Sequence, residues 1–100
     1  MPNEQAVLDV AGLLSDSRAL SEAVLAGDLQ EARFRARLAA GRAGVQVMKK
    51  VEVTASELVR LLGHAGQPPL PGYAQAVLDL SAELDEAMTA LLTCKLARDP

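Results

Sequence analysis

Residues 28–62 read DLQEARFRARLAAGRAGVQVMKKVEVTASELVRLL, and the helix count of the fold turns on whether this stretch forms one helix or two. Its first half carries a stripe of mostly short side chains, Leu29, Ala32, Ala36, Ala39 and Ala43, at helical spacings of three and four. The stripe continues through Val47, Val51, Thr54, Leu58 and Leu61, with consecutive steps of four at the join. Such a stutter locally unwinds a coiled coil without ending the helix. A competing signal is Thr54-Ala-Ser-Glu57, which matches the capping box and follows the poor helix formers Val51 and Val53. The spacing predicts one continuous helix, with a break near Val53 as the alternative.

The same stretch has a second apolar stripe, Phe34, Leu38, Val45 and Met48 with Gly41 among them, on the side away from the alanines. One neighbouring helix cannot cover both stripes. Either the middle helix lies between two others, or the second stripe is a subunit interface. The alanines, with Gly44 beside them, let a neighbouring backbone approach closely, because short side chains reduce the interaxial distance.

Outward from this stretch, Gly27-Asp28 marks one turn, where Gly ends a helix and Asp caps the next. Residues 63–72, with Pro68, Pro69 and Pro71, mark the other. The first segment, from about Asn3 to Ala26, sets Ala6, Val10, Leu13, Ser17, Leu20 and Val24 in a seam. Ser15, Asp16 and Ser17 are good caps, but the seam passes through them unchanged, so one helix is expected. The last segment, from about Gly72 to Ala97, repeats the pattern with Tyr73, Val77, Leu80, Leu84, Ala87, Leu91 and Cys94. Asp79, Glu83 and Glu86 fall on its flank and read as a solvated acidic face.

These segments predict an all-α fold: a single helical-bundle domain over residues 1–100, built as an elongated antiparallel three-helix bundle, or four helices if the middle one breaks near Val53. At 1.5 Å per residue the unbroken middle helix would be roughly 50 Å long. The first helix would cover it only to about Lys50. A two-helix tip carrying Val51, Leu58, Leu61, Leu62, Tyr73, Val77 and Leu80 would then lack cover, since two helices alone bury little. The expected remedy is a homodimer, with partner contacts from Phe34, Leu38, Val45 and Met48 or from the tip residues Leu58, Leu62 and Tyr73. A break that folds the tip back would instead give a compact four-helix monomer.

Composition agrees with helix and excludes much else. The chain has 100 residues, half of them apolar, drawn mainly from Ala and Leu, with no Trp, one Phe and one Tyr. The net charge is −3, unevenly divided: residues 28–63 hold seven basic and four acidic side chains, and the flanking segments are acidic. Folding about the Pro-rich turn sets Lys49 and Lys50 opposite Asp85 and Glu86. One Cys and one His leave no intramolecular disulfide, no thiolate cluster and no multi-histidine metal site. No cofactor, metal or small-molecule substrate is expected. The uncharged run from Leu61 to Leu78 holds three Pro and three Gly and cannot cross a bilayer as a helix. A cytoplasmic protein is the default expectation.

Of the chemical motifs, Arg33-Phe-Arg-Ala-Arg37 with Arg42 is the one dense basic stretch, and an aromatic within it invites a nucleic-acid reading. Its arginines divide between two helix faces, so they form no single phosphate-binding strip. Pro68-Pro-Leu-Pro71 resembles a short polyproline ligand but reads first as a stiff connection. Leu58-Val-Arg-Leu-Leu62 has the spacing of a docking helix yet continues a core seam. Cys94 extends a seam and reads as a buried thiol, about 40 Å from His64 along helix and loop, too far for a catalytic pair. With no nucleotide-binding Gly loop and no nucleophile motif, the chain reads as a non-enzymatic protein–protein interaction module using apolar helix faces. The alternative is a nucleic-acid-binding or regulatory protein using Arg33, Arg35, Arg37 and Arg42.

Overall fold

The computed structural model describes residues 4–45 and 48–98, with side chains up to Thr93. Four helices are present among them: α1 (Glu4–Leu25), α2 (Leu29–Val45), α3 (Lys49–Leu62) and α4 (Tyr73–Arg98). Val47 and the side chain of Cys94, both assigned above to seams, lie outside the described residues.

The turn between α1 and α2 follows from two residues. Gly27 takes φ +76°, the left-handed conformation that costs glycine little. This lets Asp28 N donate to Ala23 O at 2.8 Å and Gly27 N to Val24 O at 3.1 Å, which satisfies the last carbonyls of α1. Asp28 then starts α2, its Oδ1 accepting from Glu31 N at 3.1 Å. The first helix runs unbroken through Ser15, Asp16 and Ser17, as the seam predicts.

The middle segment departs from the expectation of one helix. It ends at Val45 and restarts at Lys49, well before Val53. Val51, Val53 and Thr54 lie inside α3, and the Thr54 hydroxyl donates to Glu83 Oε2 at 2.9 Å. The capping-box match therefore plays no capping part, and Met48 stands at the N-cap with no side-chain cap. Local propensity favours the observed place, since Gly41, Gly44, Val45 and Val47 are all weak helix formers. The break also removes the stutter, because α3 restarts in a new phase with Val51, Ala55, Leu58 and Leu62 inward. Folded back, α3 brings the expected bare tip onto the body, where Leu58, Leu62 and Leu80 are fully buried and Val51, Leu61 and Val77 nearly so.

Around the bundle, α1 packs on α2 and α4, and α3 packs on α2 and α4, so the four helices form a ring with α1 facing α3 and α2 facing α4 across the diagonals. Neighbours run antiparallel. The core consists of Leu13, Leu20, Leu58, Leu62, Leu80 and Leu84, closed on the α2 side by Ala32, Ala36, Ala39 and Ala43, none of which is exposed. Four alanines in a row bring the α2 backbone close to its neighbours. At the α2–α3 turn the Glu52 side chain lies over Gly44: a Cβ there would stand 2.9 Å from Glu52 Oε2, the movable end of a flexible side chain.

The bundle is elongated, 54 × 22 × 18 Å, even though the middle segment is broken, where a compact four-helix bundle was expected. Because Lys50 pairs with Glu86, α3 starts opposite that residue, and the last turns of α4 run on past it beside the start of α1.

Candidate interaction surface

Of the seven residues expected to contact a partner, the structure keeps three together on an outer face. Phe34, Leu38 and Val45 are separated by four and seven residues on α2, opposite the buried alanines. Phe34 is 51% exposed and Val45 80%, with Leu38 half-buried between them. Gly41 completes the stripe and has open space around it. Neither α1 nor α3 covers this face, so packing α2 between two helices, as one reading had it, does not hide both stripes.

The other four residues serve the interior. Leu58 and Leu62 are wholly buried, which corrects their placement at an uncovered tip. Met48 and Tyr73 are half-buried and pack against the same core. Met48 leaves the Phe34 stripe because the chain turns there, with its N–H donating to Ala43 O at 2.9 Å.

The basic run is largely taken up by the fold. Arg33 is buried, donating through Nε to Leu62 O at 3.2 Å and through Nη2 to Gln67 O at 2.9 Å. It ties the end of α3 and the following loop to α2. Arg35 and Arg42 turn the other way, to the buried Asp16 of α1, at 3.3 and 2.9 Å. Arg35 also pairs with Glu31 at 2.7 Å, and that hydrogen bond holds its guanidinium above the ordinary pKa. Its cation lies 5.6 Å from the centre of the Phe34 ring. Only Arg37 is exposed and makes no ion pair among the described residues.

A second outer face, which the periodicity of the sequence did not single out, lies on α4. Leu78 and Leu92 are exposed on it, and Ala82, Asp85, Glu86, Thr89, Ala90 and Thr93 line a shallow groove there. The residues are spaced by three and four, so the signal was present, but it sat behind the stronger core seam. The acidic flank expected nearby is only partly solvated: Asp79 and Glu86 are exposed, while Glu83 is half-buried, its Oε2 held by Thr54 and its Oε1 buried without a partner. Lys50 meets Glu86 at 3.7 Å, as the predicted antiparallel register requires.

Among the described residues no cluster of His, Cys, Asp and Glu is arranged to hold a metal ion, and no helix is long and apolar enough to cross a membrane. His64 is exposed in the loop after α3. No family model matches the chain, and neither a curated protein nor a solved structure is significantly similar to it.

Proposed function

We propose that this chain is a non-enzymatic protein–protein interaction module, an adaptor, chaperone-like or structural subunit, that receives a partner on the outer face of α2. One observation carries this reading: Phe34 and Val45 stand exposed in line on a helix whose opposite face is fully buried. A helix needs only one apolar face to join a bundle, so a second, aligned one is surplus to folding. Large apolar side chains grouped in water favour burial against another surface. The reading includes a cytoplasmic setting, supported by a single cysteine that calls for no oxidising compartment. Nucleic-acid binding is the weaker reading, because Arg33, Arg35 and Arg42 already have partners within the chain.

The test is affinity capture with the wild type and with the double variant Phe34→Ser/Val45→Ser, matched for helicity. A partner retained by the wild type should be lost by the variant. Equal retention by both would remove α2 as the docking face.

A further inference from the structure

The outer faces of α2 and α4 are complementary in charge and in side-chain size. The α2 face is apolar and projecting, with Phe34, Leu38 and Val45 along its centre and the unpaired Arg37 at its edge. The α4 face is a shallow, open groove along one helix, lined by the small side chains of Ala82, Thr89 and Ala90 and by Asp85 and Glu86, with Leu78 and Leu92 exposed toward its two ends. Asp85 makes no ion pair among the described residues, and Glu86 has only the long, exposed pair with Lys50. The apolar stripe of α2 from Phe34 to Val45 spans about 18 Å and fits within the α4 face from Leu78 to Thr93, about 24 Å.

We propose that the occupant of the α2 face is a second copy of this chain, presenting its α4 groove. This rests on the reading of α2 as the docking face. Phe34 enters the groove where the side chains are small, and Arg37 meets Asp85. A copy paired through α2 with α2 would set basic edge against basic edge, which disfavours that arrangement. Because α2 and α4 occupy opposite corners of the ring, the two faces point away from each other and cannot both be used within one two-fold dimer. The contact is therefore head to tail, and association proceeds beyond two copies to a ring or an open chain.

Sedimentation equilibrium of the full chain across the micromolar range tests this. The wild-type mass should rise with concentration past twice the chain mass, and should fall back in high salt as Arg37 and Asp85 are screened. Phe34→Glu and Leu78→Glu should each stay near one chain mass. Mixed in equal amounts they should reach two chain masses and stop, because one intact α2 face and one intact α4 face remain, and the altered pair sets Glu against Glu. Both sites are exposed, so circular dichroism should match the wild type, and Ala82→Arg is a second variant that fills the groove. A wild-type mass of one chain at every concentration would overturn the proposal, as would a dimer that Leu78→Glu and Ala82→Arg leave intact. A monomeric wild type whose captured partner is still lost in Phe34→Ser/Val45→Ser would refute self-association alone and leave the α2 docking face standing.

Discussion

Arg33 sits inside the densest basic run of the chain, yet its guanidinium is buried and bonded to two backbone carbonyls, Leu62 O and Gln67 O. A guanidinium offers five donors in a fixed fork, so one side chain can hold the end of a helix and the loop beyond it together. Arg33→Ala should destabilise the protein by about 1.5 to 3 kcal/mol, the range for hydrogen bonds to charged groups. Urea denaturation measures the loss, and hydrogen exchange should show it concentrated in residues 63–72. Unchanged exchange there would mean that the loop holds itself. Thr54 is a second residue whose role differs from its motif. Its hydroxyl serves Glu83 on α4 and not the start of a helix. In a double-mutant cycle, Thr54→Ala and Glu83→Ala should therefore be non-additive by about 0.5 kcal/mol or more. A capping Thr54 would give additive effects.

At the scale of the elements, the last helix is where periodicity and packing agree most closely. Leu80 and Leu84 are both fully buried at the centre of the ring. Leu80→Ala or Leu84→Ala should each cost about 2 to 5 kcal/mol, through lost burial and the cavity left behind. Thermal and urea melts followed by circular dichroism check this, and parent-like melts would mean that the inward face of α4 has been misassigned. The break between α2 and α3 is the element-scale feature that the stutter concealed. An unbroken helix keeps its local hydrogen bonds but leaves Leu58, Leu61 and Leu62 beyond the reach of α1. Breaking at weak helix formers gives up little and buries all three.

For the molecule as a whole, cover is unequal along the 54 Å axis. Four helices surround Leu20, Leu62 and Leu80, whereas near Leu8 and Leu91, among the described residues, only α1 and α4 remain; Leu8 is exposed and Leu91 half-buried. Local opening follows the amount of buried apolar contact. Amides around Leu8 and Leu91 should exchange faster than those around Leu20 and Leu80 by native-state hydrogen exchange, and uniform protection along α1 and α4 would contradict the two-helix end. What the amino-acid order by itself determined is local: the all-helical class, the turn at Gly27-Asp28, the inward seams of α1 and α4, and the register that pairs Lys50 with Glu86. Spacings of three and four and the backbone freedom of Gly carry that information within a few residues. Where the middle segment breaks, that Leu58 and Leu62 are core, that Arg33 is a tie and Glu83 half-buried, and that Phe34, Leu38 and Val45 stay outside were decided only in the tertiary structure. Each depends on which distant helix covers which face, a choice made by the total apolar area buried and not by the spacing along one segment.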